Sequence, residues 1–349
     1  MKRKQRATIK DVACAAGVGI VTVSRALNGK VGVSEATRER IQQIATELDY
    51  EPNRHAQFLK LTASRSIAVF VKGLDNQLFS PILNILEHEI RERDYLLNVV
   101  AVPHWADEFA QAVKIVEEDS ISGVVFLGGR FQHNASYFDK LKVPLVLSTM
   151  SGANQALKDR YSSVAVDDYG ESRRIVEYLL SLGHRRIAII GSGMEDFSVG
   201  RLRLEGYLDA MENAGITPLP SWQRSFDARA DTPYNFSTGY HITLDLLKEA
   251  PEVTAIFSVA DVMAIGALRA ASEMGRRVPE DLSIFGFDGI PVGRYLVPKL
   301  STLEQPVEEI ARLTCELLFD SIEGKAPRHV TVPGIPHCDA TVGPVAEVL

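Results

Sequence analysis

Cysteine is scarce in this chain: three in 349 residues, Cys14, Cys315 and Cys338. They are odd in number and far apart, and no two have zinc-site spacing. That excludes a disulfide framework and points to a reducing compartment. Long apolar runs are missing too. Nothing approaches the ~18 consecutive apolar residues of a membrane span, and no apolar core follows the basic start MKRKQRATIKD as it would in a secretion signal. A cytoplasmic protein with no membrane partner is therefore expected. Low-complexity tracts are absent. So are the short motifs of common enzymes: no GxGxxG or GxxxxGK[ST] follows an apolar run, and there is no serine-nucleophile elbow and no HExxH. No convergent acid–base or nucleophilic set is visible, so neither catalysis nor a cofactor is expected.

What is present is a globular composition, 46% hydrophobic and 24% charged, at a length that suits two to three domains. The net charge of -7 is unevenly spread. Residues 1–62 hold 11 Lys/Arg against 6 Asp/Glu, a balance of +5, which leaves 27 against 39, or -12, for the remainder. A polyanion would be drawn to the first segment and repelled by the rest.

The basic segment also carries a helical pattern. Thr8 with Asp11 approximates a capping box, Ile9, Val12, Ala13 and Ala16 form one apolar face, and Gly17 interrupts it. A second short helix runs from Ile20 to Leu27 and stops at the Asn28-Gly29 turn signal. Ser34 caps a third, with Ile41, Ile44, Ala45 and Leu48 spaced for burial. Three short helices with a tight turn near Gly17 read as a helix-turn-helix unit; the competing reading is a three-helix bundle without a partner. The basic balance favours the former. So do Thr22, Ser24 and Arg25, small or forked polar groups able to reach phosphates or base edges, Arg25 with a fork suited to guanine. Thr22 and Ser24 have the alternative of bonding the local backbone.

After Tyr50, Pro52 prevents the third helix from continuing unchanged. Asn53 can cap a short helix holding His55, Ala56, Leu59 and Lys60, too short to be stable alone in water. Beyond residue 65, β-branched apolar runs at 67–71, 96–102, 123–128, 144–149, 164–167, 186–191, 255–260 and 282–289 alternate with amphipathic stretches at 81–93, 107–118, 170–182, 201–214, 238–249 and 261–274. That alternation specifies an α/β body with parallel sheets, covered on both faces. It divides near Val164 into two doubly wound halves, with the ligand position at the strand carboxyl ends and between them.

The run TIKDVACAAGVGIVTVSRALNGKVGVSEATRERIQQIATELDYEPN resembles the amino-terminal signature of the lactose/galactose repressor family. DDYGESRRIVEYLLSLGHRRIAIIGS, VGRLRLEGYLDAMENAGI, DVMAIGALRAASEMGRRVPEDLSIFGFDGI and LSTLEQP extend the resemblance through the body. It implies a sequence-specific regulator, expected to be a repressor, that binds a roughly palindromic duplex operator as a homodimer under control of a small molecule, expected to be a sugar or sugar derivative. The implied architecture is an all-helical headpiece (1–50), a hinge helix and linker (51–64), and a two-lobed periplasmic-binding-protein-like body. Residues 65–163 with about 295–325 would form the first lobe, and 164–294 with about 326–345 the second.

By that resemblance the second helix enters the major groove. Ile20, Val21 and Arg25 face bases, and Thr8, Thr22, Ser24 and Asn28 face phosphates. Gly19 stands where relatives carry a capping serine, and Ile20 and Val21 suit thymine methyls rather than bidentate bonds, so the operator should differ from the lactose operator. Asn53, Ala56, Leu59 and Lys60 would lie at the minor groove, with Leu59 wedged between base steps; its alternative is packing against the body. In the cleft the resemblance places Arg203 and Asp288 as polar ligand contacts, Phe79 and Tyr234 as apolar or aromatic surface, and Ser148 on the first lobe. Asp288 can instead be a turn residue, Arg203 a solvated helix residue or partner of the Glu205 region, and Phe79 and Tyr234 core. Ser148 where some relatives have an acid, and Ala260 where lactose-repressor types have asparagine, argue against a lactose-like effector. The aromatic stretch 218–237 either reshapes the pocket or covers a lobe. The expected dimer contacts are helices near 81–93, 238–249 and 261–274. A transport-type sugar receptor and a sugar or nucleoside enzyme are the competing functions; the first has no use for residues 1–62.

Overall fold

The structure, a computed structural model, describes residues 7–27, 32–48, 50, 65–130, 135–151, 155–191, 193–194, 197–226 and 233–345. The chain divides into two units, residues 1–64 and 65–349. Asn28 and the hinge residues Asn53, Ala56, Leu59 and Lys60 lie outside the described residues.

The first unit contains helices α1 (Ile9–Ala16), α2 (Ile20–Leu27) and α3 (Glu35–Glu47). Thr8 N–H and Thr8 hydroxyl both donate to Asp11 Oδ2 at 2.7 Å, so the acid bonds back to the helix start as the pattern requires. Gly17 ends α1 in the left-handed region (φ 65°), where glycine has no Cβ penalty. Ser34 caps α3 through Thr37 N–H at 3.4 Å. Val12, Ala13, Ala16, Val23, Ala26, Ile41 and Ala45 make a small closed core. Ile44 packs at its edge. Leu48, expected in the same stripe, is exposed because it sits beyond the last turn as the C-cap. Two arginines of α3 reach the open carbonyl ends of the other helices, Arg40 Nη2 donating to Ala16 O at 2.8 Å and Arg38 Nη1 to Ala26 O at 3.5 Å. The last carbonyls of a helix need such donors, and the helix dipole favours a cation there.

The second unit has two six-stranded sheets. The first runs β11-β5-β4-β3-β1-β2 and the second β12-β10-β9-β8-β6-β7. Strands of the first are β1 (Ser66–Lys72), β2 (Leu96–Val102), β3 (Ile121–Leu127), β4 (Leu145–Ser148), β5 (Ser162–Ala165) and β11 (His329–Thr331). Those of the second are β6 (Ile187–Gly191), β7 (Gln223–Ser225), β8 (Ala255–Ser258), β9 (Ser283–Asp288), β10 (Ser301–Glu304) and β12 (Ile335–His337). Every pairing is parallel except β10–β12. The central strands are buried on both faces, β1 along its whole length, as continuous apolar runs demand. Helices α4 (Phe79–Glu92), α5 (Glu108–Glu118) and α6 (Ala135–Lys140) follow strands of the first lobe; α7 (Asp168–Ser181), α8 (Val199–Asn213), α9 (Phe236–Glu249) and α10 (Asp261–Glu273) belong to the second. The last helix, α11 (Val307–Ile322), returns to pack on α4 and on β3, β4 and β5.

The division expected at Val164 is corrected by this topology. β5, which includes Val164, hydrogen-bonds into the first sheet, and β10 into the second, although 295–325 was expected in the first lobe. β11, expected in the second lobe, pairs with β5 of the first. The chain therefore crosses between lobes at 165–168, 304–307 and 331–335. The segment GIPHCDATVG, residues 334–343, supplies the antiparallel edge strand β12, with His337 Nε2 2.6 Å from Glu304 Oε2. Trp222, buried and bonded through Nε1 to Glu252 Oε1 at 2.9 Å, covers the edge of the second lobe.

Helices α9 and α10 touch backbone to backbone. A Cβ on Gly266 would lie 2.1 Å from Phe236 O and 2.6 Å from Tyr240 N, and one on Gly239 would lie 2.2 Å from Met263 O. Neither contact can be relieved by rotating a side chain. Gly266→Ala should force the helices apart and cost about 1–3 kcal/mol, as overpacking does. A lowered thermal midpoint of the body in circular dichroism checks this; an unchanged midpoint sinks it.

Candidate functional site: an exposed helix face and an interlobe cleft

On α2 the alternation of buried and exposed residues is sharp. Val23 and Ala26 are buried, whereas Ile20 (41% exposed), Val21 (65%) and Arg25 face outward. An apolar pair left in solvent on a basic unit is a surface for contact rather than for solvation. Thr22 and Ser24 are half-buried. Thr8 is exposed, its hydroxyl already held by Asp11.

The second site lies between the lobes of the body, where the carboxyl ends of both sheets meet. The cleft encloses about 810 Å³ of empty space, open solvent at its mouth included. Phe79, Arg203, Tyr234 and Asp288 all line it, as does Ala260. Ser148 does not. Its side chain is fully buried and its Oγ lies 2.8 Å from Thr314 Oγ1 of α11, because β4 turns it towards the helix that covers the sheet. The next residue, Thr149, faces the cleft instead, in a left-handed conformation (φ 63°).

Arg203 is the centre of the second-lobe wall. Its Nε donates to Asp168 Oδ1 at 2.8 Å, its Nη2 lies 2.8 Å from the same oxygen, and its Nη1 donates to Val259 O and stands 3.6 Å from Asp288 Oδ1. The guanidinium also stacks on Phe287, 3.6 Å from the ring centroid. The ion pair expected near Glu205 belongs to Arg201. Asp288 is more than a turn residue. It is 2% exposed, holds φ at 124°, and accepts from Gln305 Nε2 at 2.9 Å. A non-glycine residue at that φ is strained. The surrounding bonds hold it: Gln305 N–H donates to Asp288 O, and buried Asp261 accepts from Ile290 N–H at 2.9 Å and from the Thr302 hydroxyl at 2.7 Å. Asp288 Oδ2, Gln305 Oε1 and Asp168 Oδ2 are buried without a hydrogen-bond partner.

Burial raises these carboxyl groups. Asp288 and Asp168 are each pushed up to about 6 by loss of solvent, with Arg203 opposing the shift. Asp261 is pushed up to about 7 by burial and then by the neighbouring Asp288 charge. One guanidinium faces two carboxylates, with a third behind Asp288, so the cluster favours holding a proton.

The first-lobe wall is built differently. Lys72, at the end of β1, is buried and donates to Glu108 Oε2 at 2.6 Å and to Ala106 O at 2.7 Å. Gly128 and Gly129 follow β3 with φ 68° and 146°. A Cβ on Gly129 would lie 2.7 Å from Glu108 Oε1, so glycine lets the strand end close over the ion pair. Glu108 Oε1 accepts Arg130 N–H at 2.7 Å. Across the cleft, His104 of the first lobe meets Phe226 and Tyr234 of the second edge to face, at centroid distances of 6.1 and 6.0 Å. Phe226 and Tyr234 are themselves 4.9 Å apart. The aromatic stretch thus serves in both expected ways, Trp222 covering a lobe and Tyr234 shaping the cleft. Sequence reasoning missed Lys72, His104, Arg130, Asp168, Asp261 and Gln305. All six lie at or just after the carboxyl end of a parallel strand, the one available signal; nothing local separates them from their neighbours there.

Two family models match the chain: bacterial regulatory proteins, lacI family, over residues 8–53, and a periplasmic binding protein-like domain over 176–337. The HTH-type transcriptional regulator MalR of Clostridium butyricum is 34% identical over 316 residues, 90% of this chain and 92% of that protein. Among solved structures, a lac repressor dimer bound to operator and the anti-inducer ONPF has a TM-score of 0.78 at 26% identity, covering 98% of this chain and 100% of that one. A complex of the transcriptional regulator CelR with cellobiose has a TM-score of 0.70 at 28% identity, over 96% and 100%.

A folded pKa raised above the ordinary carboxyl value means that the folded state keeps a proton the unfolded state has lost. The Asp288 contribution should therefore fall as pH rises from about 4 to about 6, by roughly 3 kcal/mol at most, and level off above that. Asp288→Asn should flatten that decline. Urea unfolding of the body at pH 4.5, 6 and 7.5 checks it; parallel profiles for the two proteins would reject the shift.

Proposed function

Because this chain belongs to the lacI family of bacterial regulatory proteins and is a DNA-binding transcription regulator, we propose that a polyhydroxylated small molecule is its effector and that the interlobe cleft is the binding site. The observation that carries this is the pair of buried acceptors on cleft-lining residues, Asp288 Oδ2 and Gln305 Oε1, which have no hydrogen-bond donor. Hydroxyl groups are the donors such oxygens take, and a ring of apolar and aromatic surface from Phe79 and Tyr234 suits the faces of a sugar. The cellobiose bound by CelR supports the class, and the absence of an asparagine at Ala260 argues for a ligand other than a lactose-type galactoside.

The DNA-reading surface is the outer face of α2. Ile20 and Val21 would meet thymine methyls, Arg25 a guanine edge, and Thr8, Thr22, Ser24 and Asn28 phosphates. The unit binds one half-site, so a homodimer on a roughly palindromic operator follows, as in the operator-bound lac repressor dimer. Residues 51–64 form the hinge in this reading, with Asn53, Ala56, Leu59 and Lys60 at the minor groove and Leu59 the wedge. The three crossings between lobes let the body close as a hinge around its ligand, and closure repositions the first lobe, from which the hinge emerges. By linkage the operator changes effector affinity by the same factor as the effector changes operator affinity.

The reading is tested by selecting an operator from a random duplex library with the purified protein, then titrating it by fluorescence anisotropy with a panel of sugars. At least one sugar should change operator affinity tenfold or more, roughly 1.4 kcal/mol. A selected operator that no sugar or sugar derivative affects would remove the carbohydrate class while leaving the regulator in place. Separately, Arg25→Ala should weaken selected-operator binding by roughly 5–150-fold, 1–3 kcal/mol, with a much smaller change on random duplex. Equal loss on both would assign Arg25 to phosphate instead.

A further inference from the structure

Among the described residues three cations line the cleft: Lys72 and Arg130 from the first lobe and Arg203 from the second. Two of them are already committed. Lys72 is held by Glu108 and Ala106 O, and Arg203 by Asp168, Val259 O and the Phe287 ring. Each keeps an N–H that no bond above uses, but both charges are already matched by a buried carboxylate. Arg130 is different. Among the described residues its guanidinium has one hydrogen-bond partner, His104 O at a long 3.5 Å, and no carboxylate in an ion pair with it. Its backbone is fixed, because its N–H is held by Glu108 at 2.7 Å, and the two positive-φ glycines before it place it directly at the end of β3. A half-buried guanidinium with a pinned backbone and unengaged donors is a preorganised receptor for a planar or tetrahedral anion. The opposite wall has the reverse chemistry, acceptors without donors at Asp288 Oδ2 and Gln305 Oε1. Asp75 also lines the first-lobe side, but it is exposed and its charge is screened by water.

We propose that the effector is an anionic polyol, a sugar acid or a sugar phosphate, whose hydroxyl groups meet the Asp288–Gln305 wall and whose anionic group is read by Arg130. This rests on the cleft being the effector site. It assigns the specificity-determining guanidinium to Arg130, with Arg203 as the residue that positions Asp168 and Asp288.

Isothermal titration of the full-length protein with matched sets, each aldose beside its uronate and its phosphate ester, tests this. One charged member should bind at least about tenfold tighter than its neutral counterpart. Preference for the uronate identifies a carboxylate, and preference for the ester a phosphate. Arg130→Gln should abolish that preference and leave neutral-sugar affinity and the thermal midpoint unchanged. Arg130→Lys should retain part of the preference, since the charge stays and the fork is lost. A neutral aldose that binds as well as its acid and ester, or a charged member whose affinity is indifferent to Arg130→Gln, overturns the proposal while the cleft remains the polyol site. If no member of any set binds, the proposal falls together with the polyol reading.

Discussion

A single guanidinium held between two buried carboxylates fixes the architecture of the cleft. Arg203 is 4% exposed, Asp168 1% and Asp288 2%, so each would be costly to bury alone. They come from three separated parts of the second lobe: the start of α7, the first turns of α8 and the end of β9. Their mutual attraction therefore ties two helices to a strand end at the one place where both lobes face each other. The same cluster explains why Asp288 tolerates a strained backbone. Gln305 and Asp261 bond the two peptide groups that follow it, and its side chain is held towards Arg203 and Gln305. One positive charge against two negative ones leaves the site short of donors. That imbalance makes the wall receptive to hydroxyl groups.

Much of the scaffold was legible in the sequence because its signals are local. Caps and breakers bound the first three helices at Thr8, Gly17 and Ser34. Buried parallel strands appear as apolar runs, and eight of the twelve strands stand out this way. The four that do not, β7, β10, β11 and β12, are three or four residues long or lie at sheet edges, where burial is incomplete and no run accumulates. The lobe boundary was misplaced for the related reason that β5 and β10 belong to a sheet by pairing, which composition does not reveal. In the cleft, residues matched to a known motif, Arg203, Asp288, Phe79 and Tyr234, do come together. Ser148 does not, because in a strand adjacent residues face opposite sides and a one-position error moves a side chain from the ligand to the core. Asp168 and Asp261 were illegible for a different reason. Each is the first residue of its helix and reads as ordinary helix-start chemistry; only the meeting of distant segments turns them into parts of a charge cluster.

The first lobe shows how glycine and a buried ion pair can stand in for one another. Lys72 and Glu108 pair beneath Gly129, and the pair occupies the space a side chain there would need. Glu108 then uses its second oxygen to fix the Arg130 backbone. A structural ion pair thus sets the position of the next residue along, which is how an arginine on a loop can be as well placed as one on a strand.

The distribution of charge limits how the two units can work together. The remainder carries -12 and repels a duplex, so operator affinity must come from residues 1–62, which carry +5. In that arrangement the ligand need not touch DNA-binding residues. In the proposed mechanism it is enough to shift the folding balance of the linker, since a short helix is near balance in water. Moving such an element from mostly unfolded to mostly folded takes about 5.5 kcal/mol of differential binding. Two or three charge-assisted hydrogen bonds made in only one lobe arrangement, at roughly 1.5–3 kcal/mol each, supply that amount. Asp288 Oδ2 and the Arg130 guanidinium can each make such a bond, and Gln305 Oε1 a neutral one; they lie on opposite lobes, so in the proposed reading a ligand joining them favours the closed body over the open one. A ligand bound by one lobe alone would have equal affinity for both arrangements and would regulate nothing, however tightly it bound.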